Sequence, residues 1–317
     1  VWVKNRSASY PHLVWDAVRG TDKNLNTTVT AHESDVSGAS QGIISTSASN
    51  GFVVKNGSSG GLNVGSSGSN SYAAWCWEAG SSTVNNTDGG RTASVRANQS
   101  AGFSICTYSG GGGTSSIGHE LSAAPEFVIV KNRTQANQHW VIYHKSIGAD
   151  QFLKFTNAAK VDYPMWQDNH PTDSVVYLGN DDSTNKSGED YVAYCFAPVA
   201  GYSAIGSYEG NGSADGPFVY CGFKPRWIMM KNADTGGTYY DWRIIDTARH
   251  TYNEGGNEDI PPTLFANLSD AEKDWDNVDI LSNGFKIKDS SVSLNESGAT
   301  QVFIAFAEHP FKTARAR

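Results

Sequence analysis

Three short apolar segments of this chain end in the same dipeptide, Lys-Asn. They are VWVKNR at 1–6, FVIVKNR at 127–133 and RWIMMKN at 226–232. A second apolar block follows each of them, as HLVWD at 12–16, WVIYH at 140–144 and WRIID at 242–246. A third block completes each set, as YAAWCW at 72–77, YVAYCF at 191–196 and QVFIAF at 301–306. Because the same blocks recur in the same order, the sequence predicts three similar units in tandem.

The blocks have the composition of β-strands. They are short, rich in Val, Ile, Trp, Tyr and Phe, and bounded by turns that contain Gly, Asn and Ser. Aromatic residues make up 11% of the chain and charged residues only 18%, which favours an all-β protein over a helical one. Strands of this number in units of about 100 residues predict three β-sandwich repeats of a jelly-roll or lectin-like kind. One helical turn is expected over 269–275, where Ser269 and Glu272 have capping-box spacing.

Two units begin with a similar leading segment, GFSICTY at 102–108 and GYSAIGSY at 201–208. The first unit has no such segment, so we expect it to be incomplete at its N-terminal side. The predicted divisions are a first repeat at 1–80, a second at 102–200 and a third at 201–317. The polar stretch at 81–101 is predicted to be a linker or a long loop.

Charge and cysteine content exclude several classes of protein. The net charge is −8 and Lys and Arg do not cluster, so neither nucleic acid nor an anionic membrane surface is an expected partner. Membrane insertion is not expected either, because no apolar run approaches the roughly 20 residues of a spanning helix. The four cysteines form no CxxC pair, which favours free thiols over a zinc site or a disulfide framework. No cofactor is expected.

Aromatic residues at turns are the candidate ligand contacts. Trp166 and Trp275 each precede a strand, where a flat indole ring could stack on a sugar; the alternative is a core tryptophan at the end of a sandwich. Tyr239 and Tyr240 lie in TGGTYYD, a turn that only the third unit has. Asp181, Asp182 and Asn185 are a weak calcium candidate, with bonds to their own turn as the alternative. No metal site is therefore assigned.

The chain resembles a repeat found in tail-fibre-like proteins of marine bacteriophages. The segments that carry the resemblance are GYSAIGSYEGNG at 201–212, the P-x-W-I-M-x-K run at 225–231 and FAEHPF at 306–311. The first unit departs from the pattern, because GSSGSNS at 65–71 replaces the N-x-S-G turn found in the other two. The single units are also similar to concanavalin-A-like and laminin-G-like sandwiches, which is a likeness of fold alone.

This resemblance implies a structural and adhesive protein of a phage virion, such as a tail fibre or spike, made in the bacterial cytoplasm. The expected partners are further copies of the chain in a homotrimer, other virion proteins, and a glycan or protein on the host surface. A secreted bacterial carbohydrate-binding or adhesin module is the alternative, and a polysaccharide depolymerase is a third. No catalytic residues are assigned, because the sequence has no GxSxG, HExxH or P-loop.

Overall fold

The protein is all-β, with many antiparallel strands and, among the described residues, one α-helical turn and one 3₁₀ turn. The structure, a computed structural model, describes residues 1–36, 43–48, 51–54, 70–249, 262–274 and 278–309. No helix in these ranges is long and apolar enough to cross a bilayer.

The first sheet comes from the N-terminal quarter of the chain. Its strands, with a separate hairpin of β5 and β6, are β1 (Trp2–Asn5), β2 (Leu13–Asp16), β3 (Gly20–Asn26), β4 (Ser34–Asp35), β5 (Ile43–Ala48), β6 (Gly51–Val54) and β7 (Tyr72–Trp75). The order across the first large sheet is β4-β3-β2-β1-β7.

The second large sheet is the widest. This part of the chain contains a 3₁₀ turn at Lys145–Ile147 and ten strands. They are β8 (Val84–Asn86), β9 (Ala93–Asn98), β10 (Phe103–Ser109), β11 (Ser115–Gly118), β12 (Phe127–Asn132), β13 (Val141–His144), β14 (Gln151–Lys154), β15 (Val161–Asp162), β16 (Val175–Leu178) and β17 (Asp190–Phe196). The order is β15-β14-β13-β12-β17-β10-β9-β8, and β11 and β16 form a small sheet of their own.

The third set contains the helical turn α1 (Val292–Asn295). Its strands are β18 (Ser203–Glu209), β19 (Phe218–Tyr220), β20 (Pro225–Asn232), β21 (Arg243–Asp246), β22 (Pro262–Phe265), β23 (Lys273–Asp274), β24 (Val278–Leu281), β25 (Gly284–Ile287) and β26 (Thr300–Ala307). The large sheet has the order β18-β26-β20-β21-β22-β23, and the small sheet has the order β19-β25-β24.

The strands that carry Lys-Asn occupy the same place in all three large sheets. β1, β12 and β20 each lie between the strand of the second block and the strand of the third block. The register also agrees, because the asparagine always pairs with the first residue of the third block: Asn5 with Tyr72, Asn132 with Tyr191 and Asn232 with Gln301. The three segments predicted to be equivalent strands are therefore strands with equivalent neighbours.

The asparagine has the same task each time, which is to close the turn after its strand. Asn132 Oδ1 accepts hydrogen bonds from the backbone N–H groups of Thr134 and Gln135, at 3.0 and 2.8 Å. Asn5 and Asn232 make the same pair of bonds to the second and third residues that follow them. This bonding is the reason that an asparagine follows the lysine in each copy.

One face of each large sheet packs into a single central core. The buried residues that the sheets contribute include Trp2, Val14 and Leu25 from the first, Phe127, Ile129, Ile142 and Phe196 from the second, and Trp227, Met229, Ile244 and Phe306 from the third. The alternate residues of the second and third sheets face outward into two further cores beneath the small sheets. The sheets are consequently not independent beads on a string.

Neighbouring large sheets are joined by tryptophan side chains that precede the second strand. Trp140 Nε1 donates to the carbonyl of Asn26 at 2.9 Å, and Asn26 is the last residue of β3. Trp242 Nε1 donates to the carbonyl of Lys154 at 2.7 Å, and Lys154 is the last residue of β14.

His12 takes this place before β2. It is fully buried and lies near the backbone of Phe265, the last residue of β22. Burial lowers the pKa of His12 well below its usual value, with Lys4 and Arg249 acting in the same direction. The contacts therefore run in a ring: the first sheet meets the third, the second meets the first, and the third meets the second.

Ion pairs also connect the sheets. Glu33 accepts from Arg19 of its own sheet at 2.8 Å and from Arg133 of the second sheet at 2.9 Å. Burial opposes ionisation of Glu33, but the hydrogen bonds from the two guanidinium groups outweigh it and lower the pKa of the carboxyl. Each charge is thus paired where water is largely excluded.

The boundary between the third and first sheets repeats this network. Glu272 accepts from Arg249 and from Arg6, both at 2.7 Å. Because Glu272 is occupied in this way, the capping box with Ser269 does not form and the expected helical turn over 269–275 is wrong for its described part, 269–274, which ends in β23.

At the boundary between the second and third sheets the charges are reversed. Lys160 Nζ pairs with Asp234 at 2.6 Å, and the backbone N–H of Lys160 donates to the carbonyl of Ala233. Glu33 and Glu272 make the same backbone bond, to the carbonyls of Arg133 and Arg6. Lys160 therefore stands where the other boundaries have glutamate, Ala233 stands where they have arginine, and the next residue, Asp234, supplies the opposite charge.

The stretch predicted to be a linker, 81–101, contains two strands. β8 and β9 extend the second large sheet beyond β10, with Val95 opposite Cys106. In β9 the half-buried polar residues Ser94, Arg96 and Asn98 alternate with Ala93, Val95 and Ala97, which gave the stretch the composition of a loop. The expectation that all four cysteines are free agrees with the structure, in which Cys76, Cys106, Cys195 and Cys221 form no disulfide.

Reversing the charges at the third boundary tests whether the three boundaries are equivalent. Lys160→Glu alone places two carboxylates together, and Asp234→Arg alone places two cations together, so each is expected to lower the free energy of unfolding by about 1 kcal/mol. The double variant is expected to recover most of that loss. Urea unfolding of the four proteins gives the coupling energy, and strictly additive losses would contradict the equivalence.

The three buried lysines predict an unusual dependence of stability on pH. Lys4, Lys131 and Lys231 are almost fully buried, and burial lowers the pKa of each to about 8 from 10.5. Between these values the unfolded chain binds more protons, so stability rises with pH. Relative to Lys131→Met, the native protein is expected to gain on the order of 2 kcal/mol in free energy of unfolding from pH 7 to pH 10.

Urea unfolding at unit steps of pH measures this difference. The matched control is Lys145→Met, which removes a lysine whose side chain is 59% exposed. Parallel curves for the native protein and Lys131→Met would contradict the prediction.

Candidate functional site

Two exposed aromatic side chains lie side by side on the third small sheet. Phe218 and Tyr220 are the outward residues of β19, with 47% and 70% of their surface exposed, whereas Val219 between them is buried. Since side chains alternate along a strand, both rings lie on one face. The packing of the described residues does not account for large apolar groups at this exposure, which makes them candidates for contact with a ligand.

The residues opposite these rings leave them accessible. Phe218 pairs with Lys286, and Tyr220 pairs with Gly284. A Cβ atom at Gly284 would collide with the carbonyl of Val219, so the close approach of the two strands requires glycine here. As a result no side chain stands opposite Tyr220.

Charged groups lie beside the rings. Lys286 Nζ pairs with Asp215 at 2.6 Å and donates to the carbonyl of Gly216 at 3.0 Å; its hydrogen bond lowers the pKa of Asp215. Asp279, which pairs with Lys286 across the sheet, lies 3.3 Å from the ammonium group of Lys288. We call this surface the aromatic face; it consists of Phe218, Tyr220, Asp279, Gly284 and Lys286.

The aromatic face has the chemistry of a shallow binding surface. Flat rings can stack on the apolar faces of sugar rings, and the neighbouring ammonium and carboxylate groups can bond to hydroxyls. Within the part of the chain that the structure describes, no three His, Cys, Asp or Glu residues come together to hold a metal ion.

The second small sheet has no such surface. Its strand β11 carries Ser116 and Gly118 on either side of the buried Ile117, where β19 carries Phe218 and Tyr220 on either side of the buried Val219. The edge of β11 is also covered, because the backbone N–H of Arg91 donates to the carbonyl of Ser116 at 2.9 Å. The segment from β8 to β9 thus covers the edge of β11 in the second small sheet. In the third small sheet β19 is an edge strand among the described residues.

Sequence reasoning missed Phe218 and Tyr220, although a signal was present. In GPFVYCG two aromatic residues are separated by one position, which places both on the same side of a strand. The corresponding residues of β11 are Ser116 and Gly118, so a comparison of the two segments would have marked the aromatic pair as unexplained by the common pattern.

Trp166 is not at a rim, which corrects the expectation that its ring face is open to a sugar. Only 1% of its surface is exposed, and it packs in the outer core of the second sheet with its ring centre 5.9 Å from that of Tyr143. The alternative of a core tryptophan applies. Trp275, its counterpart in the prediction, lies outside the described residues.

Tyr239 and Tyr240 lie at the boundary between the second and third sheets. Tyr239 is 64% exposed and has a positive φ of 79°, while Tyr240 is half-buried. Partial burial and the nearby Glu296 raise the pKa of Tyr240. The turn is held against the second sheet by a hydrogen bond from Gly237 N–H to the carbonyl of Asn157, at 2.9 Å. Tyr239 is therefore accessible, and Tyr240 has a structural contact.

The weak calcium candidate has other partners. Asp181 accepts from the backbone N–H of Ser183 at 2.7 Å, and Asp182 pairs with Lys186 at 2.8 Å. Asn185 is fully buried and bonds the glycine-rich turn, donating to the carbonyl of Gly113 and accepting from the N–H of Gly111. The three side chains thus serve their own loops and do not converge on an ion.

The match with a family extends over nearly the whole chain. A family model with the description "Domain of unknown function (DUF7483)" matches residues 1–310. No curated protein and no solved structure matches the chain. Since the family model covers all three large sheets, the chain belongs to the DUF7483 family.

Proposed function

We propose that this protein is an adhesive structural protein that binds a surface glycan through its aromatic face. The observation that carries the proposal is the exposed pair Phe218 and Tyr220 on a rigid sheet, with Lys286 beside them and no side chain opposite Tyr220. A shallow face of this kind binds weakly, and several linked copies would raise the overall affinity through avidity.

The proposed setting is a phage virion, in a tail fibre or spike that contacts other virion proteins and the host surface. The resemblance to tail-fibre-like repeats supports this setting, and the all-β architecture with little charge agrees with it. A secreted bacterial carbohydrate-binding or adhesin module would use the same face. The polysaccharide depolymerase has no specific observation in its favour.

The proposed architecture is three tandem β-sandwich repeats, at 1–80, 102–200 and 201–317, around one shared core. The common position of β1, β12 and β20 supports it, as do the three equivalent asparagine turns. The first unit lacks a counterpart of β10 and β18 among the described residues, where β7 is the outermost strand of its sheet.

Binding to a printed array of bacterial surface polysaccharides tests the proposed function. A glycan that binds the native protein is expected to lose about tenfold in affinity for Phe218→Ala and for Tyr220→Ala, because each variant removes one stacking ring. The matched control is Tyr163→Ala, which removes an aromatic ring that is 39% exposed elsewhere on the surface. Retained affinity in both aromatic-face variants, or no glycan bound by the native protein, would contradict the proposal.

A homotrimer is part of the proposal, on the strength of the fibre resemblance. Exposed tryptophans, which could pack against a neighbouring copy, do not add support. Trp2 and Trp166 are buried, and Trp75 donates to Asp246 within the chain, at 2.9 Å. Light scattering at micromolar concentration is expected to give three times the chain mass of 34.0 kDa. The mass of a monomer would contradict it.

A further inference from the structure

A cavity of about 180 Å³ lies where the three large sheets meet. All three contribute to its walls, which are mainly aromatic and aliphatic: Trp2 from the first, Phe127 and Phe196 from the second, and Trp227 and Phe306 from the third. The exposed residue Glu78 is among the lining residues, so the cavity reaches the surface on that side. The cavity is separate from the aromatic face.

The polar side chains around the cavity already have partners. Asp16 accepts from Arg19 and from Tyr194. Arg96 Nε donates to the carbonyl of Gly80 at 2.6 Å, and Glu78 accepts from the N–H of Gly80 at 2.9 Å. Hydrogen bonds within the chain use these groups, and most of the wall is apolar, so a neutral occupant is favoured.

Two residues that line the cavity, Trp15 and Trp227, have a buried indole N–H with no acceptor among the described residues. Trp15 packs with Val3 and Leu13 outside the central core, whereas Trp227, which is 5% exposed, belongs to the central core. Trp140 and Trp242 of the same core do have acceptors, in backbone carbonyls. Because an unpaired buried donor is costly, an acceptor atom on a ligand would be favoured at this place.

We propose that the central cavity binds a neutral molecule with a single apolar ring and a hydrogen-bond acceptor that Trp227 bonds. The size fits, since a dry apolar cavity of about 150 Å³ holds benzene. The walls supply ring faces and edges for stacking, as Trp77 and Phe306 lie with ring centres 5.5 and 5.7 Å from that of Trp227. The site does not depend on glycan binding.

Titration with anisole and ethylbenzene tests the proposal, because the two differ in one ether oxygen against one methylene. Calorimetry on the whole chain is expected to show 1:1 binding of both, with anisole roughly fivefold tighter. Trp227→Phe removes the donor and is expected to make the two affinities equal. Ala79→Leu, which adds three carbons to the cavity wall, is expected to abolish binding of both.

Circular dichroism of each variant establishes that it is folded before titration. Failure of either probe to bind the native protein would overturn the site. A preference for anisole that persists in Trp227→Phe would overturn the hydrogen bond. Since Trp227→Phe keeps an aromatic ring in the cavity wall and adds no atoms to it, this variant keeps the proposal testable if Ala79→Leu does not fold.

Discussion

The structure depends on the burial of one face of each large sheet against the other two. Each of these faces is covered chiefly by its two neighbours, since the small sheets lie on the outer sides. A single sheet could not bury residues such as Phe127 and Trp227 by itself, so the three must fold together as one core. The ring of contacts through His12, Trp140 and Trp242 fixes how each sheet lies against the next.

The Lys-Asn dipeptide solves a problem that this packing creates. Strands that end inside the assembly leave backbone carbonyls away from water, and such groups need donors. Lys4 and Lys231 reach the carbonyls of the asparagines that follow them, at 2.6 and 2.8 Å, and Lys131 reaches that of Gln138 at 2.8 Å. The ammonium groups lose hydration in return, which is why burial lowers the pKa of each lysine.

The strands of the repeated blocks could be predicted from the sequence, because alternation and turn residues are local signals. Trp166 could not be placed, since a tryptophan beside a turn has the same local sequence whether it faces the core or the solvent. The polar stretch 81–101 misled for a similar reason: polar residues dominate its composition, and only the structure shows that Ala93 and Val95 within it are fully buried. The pairing of Lys160 with Asp234 depends on contacts between distant segments, and no single window of sequence contains it.

Whether a residue faces the central core or the outside also determines where a binding surface can arise. Residues that face the central core are constrained by two neighbouring sheets, whereas the outward residues of the small sheets are constrained by little else. The outward residues of β11 are constrained as well, because the segment before β10 lies over this strand. The backbone N–H groups of Arg91 and Gly90 donate to the carbonyl and the hydroxyl of Ser116. In the third unit β19 remains at the edge of its sheet, so Phe218 and Tyr220 can be aromatic and exposed without cost to the packing beneath them. The outer surfaces beside the three large sheets therefore differ, and among the described residues the aromatic face lies beside the third alone.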